Sequence, residues 1–184
     1  SEVAQARAAA GDLEAAWEIV EQHLDPYPND EVLAAVVAAH VQAQKGEQKP
    51  LGELLEAVRE RVRVLEDGGD RQSMLGKVSV ALARIQAFLP ALEAAREIEW
   101  DERRADVLGA IAAIQAQSGD RETAHLTLAA ALVSAQRISN PWWRVDPLLE
   151  IASALAEVRE QAAARAVLAM ARASAEAVEH ASGR

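Results

Sequence analysis

Small and apolar residues recur at helical spacing between residues 104 and 138, and the same pattern returns forty residues later. Counted from Arg104, the next shared positions fall at offsets 4, 7, 8 and 12, which lie on one face of an α-helix. Among the positions that a shift of forty residues superimposes are nine identical pairs that follow this pattern, and the shift aligns Ile138 with Val178. These nine pairs are Arg104 and Arg144, Leu108 and Leu148, Ile111 and Ile151, Ala112 and Ala152, Ala116 and Ala156, Ala124 and Ala164, Leu128 and Leu168, Ala131 and Ala171, and Ala135 and Ala175. This arrangement indicates a structural repeat.

A polar break divides the repeat into two helices. Ser118, Gly119 and Asp120 interrupt the apolar pattern, and a second helical face begins at Ala124. Glycine suits the left-handed conformation that ends many helices, and aspartate can cap the helix that follows. The pattern therefore predicts a helix, a tight turn and an antiparallel helix.

Partial copies of the repeat lie upstream. A shift of thirty-three residues aligns residues 71–98 with 104–131 and places Gln86 on the turn glycine. Gly11 and Gly46 repeat that glycine in the first part of the chain. We expect helix pairs near residues 2–24, 30–66, 71–98, 103–138 and 143–181, with breaks at 25–30, 66–70, 99–102 and 139–141. Gly68 and Gly69 are the predicted hinge, because glycine leaves the backbone most free.

The spacing resembles that of the tetratricopeptide repeat family, whose unit has about 34 residues. The family's small, glycine and large apolar positions are matched by Ala112, Gly119, Ala124, Leu128 and Ala131, and in the first unit by Ala4, Gly11, Ala16 and Val20, with Pro28 near the closing proline. The Trp and Tyr of the family's first helix are missing, and the last two units are nearer forty residues. The resemblance implies an all-α fold, a right-handed α-solenoid of about five antiparallel helix pairs. It also implies one repeat domain over 1–184, with units near 1–28, 29–68, 69–100, 101–140 and 141–184.

The composition fits helices packed through small side chains. Hydrophobic residues make up 51% of the chain but aromatic residues only 3%, and Ala and Leu lead the scale of helix propensity. The net charge of −10 argues against nucleic-acid binding, which needs clustered Lys and Arg. Apolar runs such as residues 107–114 are far shorter than the roughly 18 to 20 residues that cross a membrane. We expect no membrane association and a cytoplasmic location.

Glu122 and His125 have the spacing that puts a carboxylate and an imidazole on one helix face, as in di-iron bundles. Such sites need a second copy of the motif and further carboxylates, and the sequence has no second copy. The chain has no cysteine, so thiolate metal sites are excluded. We therefore expect no metal, no cofactor and no catalytic residue, with an all-α enzyme whose site is built across helices as an alternative.

Trp142 and Trp143 stand next to each other at a predicted helix start. Neighbouring side chains on a helix diverge by about 100°, so both indoles cannot enter the same core. At least one should be exposed, and exposed Trp is enriched at binding hot spots. The alternative is a tryptophan that folds over the adjacent repeat. Trp17 and Trp100 are expected to be packing residues.

Arg71, Arg104 and Arg144 recur at one repeat position. A row of guanidinium groups could hold a carboxylate partner. The alternative, which we favour, is that they form ion pairs with nearby acids: Asp70, Asp101 and Asp146.

In the family that the chain resembles, the concave surface is lined mainly by the first helix of each unit. The resemblance places these residues there: Val36, His40, Gln44, Gly76, Lys77, Val80, Gly109, Ala113, Leu149, Ser153 and Glu157. Lys77 is the only basic residue of this set, so it does not match the family's clamp for an acidic peptide terminus. A weakly polar groove of this kind suits an apolar or helical segment.

These features favour a protein–protein interaction scaffold or sensor module. We expect it to bind a protein or peptide segment through the groove residues His40, Gln44, Lys77, Val80, Ala113 and Ser153, or through Trp142 and Trp143, without catalysis. The alternative is a homo-oligomer that assembles through the Ala-rich stretch of residues 162–178, because the ends of repeat arrays normally present a polar face.

Overall fold

A computed structural model of the chain describes residues 2–10, 15, 18 and 68–182. All regular secondary structure within these ranges is α-helical, which confirms the all-α prediction for the described part. The second predicted helix pair (residues 30–66), the turn residues Gly11 and Gly46, and the groove residues Val36, His40 and Gln44 lie outside the described residues. The predictions for Ala16, Trp17, Val20 and Pro28 also concern residues outside these ranges.

The helix bounds follow the predicted pattern closely. The described helices are α1 (Glu2–Ala9), α2 (Gly68–Arg84), α3 (Phe88–Arg96), α4 (Asp101–Gln117), α5 (Arg121–Arg137), α6 (Pro141–Glu157) and α7 (Gln161–Ser182). The break predicted at residues 66–70 is wrong at its end, because Gly68 and Gly69 belong to the first turn of α2. The first amides of a helix have no partner inside it, so glycine is tolerated there, and Asp70 in the same turn is favoured by the helix dipole. The predicted hinge glycines are therefore helical.

The chain divides into two compact units, Ser1–Glu97 and Ile98–Arg184. In the first unit α2 packs against α3. In the second unit α4 packs against α5 and α6 against α7, and α6 also packs against both α4 and α5. Three residues join the two helices of each pair, so packed partners must run antiparallel.

The three short turns share one backbone conformation. Gln86, Gly119 and Arg159 have positive φ angles of 63°, 92° and 70°, and the shifts of thirty-three and forty residues place these three residues on one another. In each turn the next amide donates to the carbonyl five residues earlier: Ala87 to Leu82 at 3.0 Å, Asp120 to Gln115 at 3.0 Å, and Glu160 to Leu155 at 2.8 Å. This is the Schellman arrangement that ends a helix. The repeat register inferred from the sequence is therefore present in the backbone.

The predicted cap at the second helix of the repeat is also present. Thr123 N donates to Asp120 Oδ1 at 3.2 Å, so the Asp120 side chain satisfies one of the free amides at the start of α5. The turn after α4 therefore ends one helix and starts the next within three residues.

The core consists of the repeated apolar positions. Residues of both copies are buried: Leu108, Ile111, Ala112, Ala124 and Ala131 in the first, and Leu148, Ile151, Ala152, Ala164 and Ala171 in the second. Ala4 of α1 is buried as well. Small residues at these places let the helices of a pair approach closely, as the composition predicted.

Pro147 lies inside α6, where the other copy has Val107. Proline has no backbone N–H, so the carbonyl of Trp143 cannot accept the usual bond from residue 147. Pro147 is buried, and it weakens the hydrogen bonding of the turn that carries the two tryptophans.

Candidate interaction surface

The first turn of α6 carries two exposed tryptophans. Trp142 N donates to Asn140 Oδ1 at 3.0 Å, and Pro141 occupies the first helical position, so the cap sets where the helix begins. Trp142 is 63% exposed and Trp143 is 59% exposed. The prediction that at least one of them is exposed is confirmed, and both are.

Trp100 departs from its prediction. It stands immediately before α4, at a helix end as expected, but it is 52% exposed, so packing covers only about half of it. Its position at the start of a helix keeps the indole outside the face that α4 buries.

An exposed face of α6 continues from the tryptophans along the helix. Its members, which we call the α6 surface, are Trp142, Trp143, Asp146, Leu149, Glu150 and Ser153. They recur at intervals of three and four residues and therefore lie on one side of the helix. Leu149 is 45% exposed, so apolar and acidic side chains alternate in solvent along this side.

Asp106 of α4 adds a carboxylate beside the α6 surface. The pKa of Asp106 is raised to about 6, first by burial and then by the charges of Glu150, Asp146 and Glu102, against the opposing charge of Arg103. Glu150 and Asp146 can act on Asp106 because α4 and α6 pack together. The packing therefore gathers acidic groups from two helices that are forty residues apart in the chain.

Asp106 and Glu150 were not predicted as site residues, and Asp146 was expected only as an ion-pair partner of the repeated arginines, although the sequence carries one signal for a shared site. The shift of forty residues also pairs Asp106 with Asp146, an identity at a position that the buried face does not require. A repeated acid outside the apolar pattern indicates an acidic stripe along successive first helices. Glu150 and Leu149 have no such counterpart, since Ala110 and Gly109 occupy the equivalent places.

The predicted groove residues are divided between the two units. Ala113 of α4 is half-buried and Ser153 of α6 is exposed, and they lie on helices that pack together. Lys77 and Val80 are half-buried on α2 of the first unit.

The predicted exposure of two groove glycines is wrong. Gly76 and Gly109 were expected on the exposed surface, but both are buried. A glycine presents only backbone, which lies below the level of its neighbours' side chains and is shielded by them. Leu149, at the place equivalent to Gly109, does reach solvent.

The Glu122–His125 pair lies beside a surface pocket. The pocket has a volume of about 410 Å³ and is lined by Arg121, Glu122, His125, Leu126, Val158 and Glu160. All of these except Val158 are exposed, so the pocket is open. Among the described residues no group of three or more His, Asp or Glu is placed to hold a metal ion.

Two of the three repeated arginines bond main-chain carbonyls just before their own helices. Arg104 Nη1 donates to the carbonyl of Ile98 at 2.5 Å, and Arg144 Nε donates to the carbonyl of Ile138 at 2.8 Å. Arg104 also pairs with Asp101, as predicted, whereas Arg144 bonds main-chain oxygens and not Asp146. Ile138 is the C-cap of α5, and a guanidinium at the last carbonyls of a helix stabilises its C-terminus. Arg144 therefore joins the end of α5 to α6.

The outer side of α7 is more exposed than the equivalent side of α5. Leu168 is 47% exposed, whereas Leu128 at the same repeat position is 1% exposed. Ala175 and Val178 are half-buried, whereas Ala135 and Ile138 are buried. We call Leu168, Ala175 and Val178 the α7 surface. In α5 the matching side faces the next helix pair, because α6 packs against α5.

Comparisons with known proteins add little to this geometry. No protein-family model matches the chain, and no curated protein sequence matches it. Among solved structures, the chain is similar to Ton1535 from Thermococcus onnurineus NA1, with a TM-score of 0.47 and 20% identity over 94% of this chain. The chain spans about half of that protein, 51% of its length. None of the described helices is long and apolar enough to cross a bilayer.

Proposed function

We propose that the chain is a non-catalytic interaction module that binds a protein or peptide segment on the α6 surface. The observation that carries the proposal is the pair of exposed tryptophans, continued by Leu149 on the same side of the helix. Contiguous exposed apolar side chains with a polar rim mark contact sites, and tryptophan is enriched at binding hot spots. Trp142 and Trp143 are rigid and offer a large contact area at small entropic cost.

The proposed architecture around this surface is a right-handed solenoid of tetratricopeptide-like helix pairs, about five in the whole chain. Three observations support it: the shared turn conformation at Gln86, Gly119 and Arg159, the repeated arginine bonds to Ile98 and Ile138, and the packing of α6 against both helices of the preceding pair. In a stack of this kind the first helices of successive pairs form one continuous surface. Ala113 and Ser153 would belong to it beside the α6 surface.

A comparative affinity purification tests the binding proposal. The tagged wild-type chain and the double variant Trp142→Ala, Trp143→Ala are used to capture proteins from the source-cell lysate, and the captured proteins are quantified by mass spectrometry. We expect a protein captured by wild type to fall about tenfold with the variant, since exposed aromatic anchors typically carry 1–2 kcal/mol or more each.

The matched control is the double variant Leu89→Ala, Leu126→Ala, which trims two equally exposed apolar side chains elsewhere. It should capture the same proteins as wild type. Equal loss in the control and the tryptophan variant, or no loss in either, contradicts a site on the α6 surface.

A second candidate function is self-association through the α7 surface. The observation that favours it is that Leu168 is exposed and Ala175 and Val178 are only half-buried, at positions that the preceding repeat buries. An apolar helix face that no further described helix covers favours contact with another copy.

Light scattering over a range of protein concentrations tests this candidate. Self-association predicts a molar mass that rises with concentration in wild type and stays at the monomer value in Leu168→Glu. A constant monomer mass in wild type up to high micromolar concentration rules it out. Leu126→Glu, which changes a leucine of α5 that is more exposed than Leu168, is the control and should behave as wild type.

A further inference from the structure

The apolar part of the α6 surface is large enough to bind a helix or strand. Trp142 and Leu149 are seven residues apart, which is about 10 Å along a helix at 1.5 Å per residue. Each tryptophan can bury on the order of 150 to 250 Å² when it is covered. Because both indoles and Leu149 stand in solvent on one side of α6, a partner that covers them gains apolar burial without any rearrangement of the helix.

The charge around these apolar side chains has one dominant sign. Asp146 lies one turn after Trp142, and Glu150 follows Leu149. Glu150, Asp146 and Glu102 lie near enough to Asp106 of α4 to raise its proton affinity, and Arg103 is the basic group among the charges that act on it. An acidic partner would meet this charge at close range, which costs free energy, whereas a cationic partner would relieve repulsion that is already present.

We infer that the α6 surface docks a polypeptide segment in which Lys or Arg side chains alternate with apolar ones, the cations facing Asp106, Asp146 and Glu150 and the apolar side chains covering Trp142, Trp143 and Leu149. The inference rests on the proposed binding function and specifies its partner. Arginine is well suited to this place, because its guanidinium bonds carboxylates in a bidentate manner and stacks on indole rings.

The charge balance disfavours a second copy of this chain as the occupant. The chain carries a net charge of −10, so two copies repel at long range. A partner that binds here must supply positive charge, and the affinity must fall as salt screens the attraction.

The test uses a phage-displayed library of randomised peptides of about fifteen residues, long enough to follow α6 from Trp142 to Ser153 as a helix. The library is panned on wild type, on Trp142→Ala, Trp143→Ala, and on Asp146→Lys, Glu150→Lys, which reverses two exposed charges of the surface. Glu122→Lys, Glu160→Lys is the matched control, since it reverses two exposed acids at the pocket beside His125. Circular dichroism checks that each variant keeps the helical content of wild type.

We expect peptides enriched on wild type and on the control to contain about twice the Lys and Arg of the input library, together with Leu, Ile, Phe or Trp. The best peptide should bind the surface variant about tenfold more weakly than the control, and it should bind more weakly as salt is raised. Peptides that are enriched without excess positive charge, and that still need Trp142 and Trp143, would overturn the basic partner and leave the binding function standing. The absence of any enrichment that depends on Trp142 and Trp143 would overturn both.

Discussion

The helix pair α4–α5 and the helix pair α6–α7 are built to one pattern, yet they differ in what covers their outer sides. Their inner faces match: Ile111 and Ile151 are both fully buried. The outer sides do not, since Leu128 is buried and Leu168 is half exposed. The repeated residues thus account for packing within a pair, and the next pair decides whether the remaining apolar residues are covered.

The first helices of the two pairs differ in a second way. Where α4 has Glu102 and Arg103, α6 has Trp142 and Trp143. Glu102 and Arg103 are half-buried, whereas Trp142 and Trp143 are exposed. The change from charged to exposed aromatic side chains is what we expect of a contact surface.

The largest expected effect is the difference in stability cost between truncating Leu128 and truncating Leu168, which share one repeat position. Leu128→Ala leaves a cavity in a buried site and should lower the free energy of unfolding by about 2 to 4 kcal/mol, whereas Leu168→Ala should cost less than about 1 kcal/mol. Urea unfolding followed by circular dichroism measures both values. Equal losses would mean that α7 is covered in solution, and would favour self-association.

Replacing Gln115 by the residue at the equivalent position of the second repeat copy should stabilise the chain. Its side chain is buried and its Oε1 has no hydrogen-bond partner among the described residues, whereas the equivalent residue is Leu155. Gln115→Leu removes an unsatisfied buried oxygen and should raise the free energy of unfolding by about 1 to 2 kcal/mol. Urea unfolding of the variant beside wild type measures the change. A loss of stability would show that Gln115 Oε1 is bonded in solution.

Asp106 should make stability depend on pH. Its pKa is raised to about 6, so the folded chain holds this proton more tightly than the unfolded chain, whose Asp has a pKa near about 3.9. The stabilisation is complete below pH of about 4 and is lost as the pH rises through about 6. Asp106→Asn, which stays neutral, should exceed wild type by about 1 to 2 kcal/mol above pH of about 7, with the advantage shrinking towards pH of about 4.

Urea unfolding at several pH values measures this difference. Glu157→Gln is the control, because Glu157 is an exposed acid of α6 that is not among the groups acting on Asp106. A constant difference between Asp106→Asn and wild type at all pH values would contradict the raised pKa.

The smallest expected effect concerns the turns. Gly119 and Arg159 both adopt positive φ, which costs residues with a side chain about 1 kcal/mol relative to glycine. Arg159→Gly should therefore raise the free energy of unfolding by about 0.5 to 1 kcal/mol, and Gly119→Ala should lower it by about 1 kcal/mol. Thermal or urea unfolding measures both changes in stability. Changes of opposite sign support a shared turn conformation at Gly119 and Arg159, and changes of the same sign would show that the two turns differ.

Much of the fold could be predicted from the chain because the repeat is encoded locally. The register that placed Gln86 on Gly119 also located the left-handed residue of each turn, although Gln and Arg replace the glycine in two of the three. The predicted hinge at Gly68 and Gly69 was wrong, since composition cannot distinguish a loop from the first turn of a helix.

The candidate site was only half predictable. The adjacency of Trp142 and Trp143 predicted that at least one of them is exposed, but it did not predict that both are. The bonds of Arg144 to Ile138 and Ser139 did not follow from its position near Asp146.

The sequence by itself determined the helix pairs, their turns and the apolar face that each helix buries. These depend on residues within one repeat, through hydrogen bonds and side-chain spacing that a short segment specifies. Only the tertiary structure decided which carboxylates share a site. Asp106 acquires its raised pKa from burial and from Glu150 and Asp146, which reach it because α6 packs against α4. Electrostatic interaction and desolvation depend on the distance between groups in space, and the separation of two residues along the chain does not determine that distance.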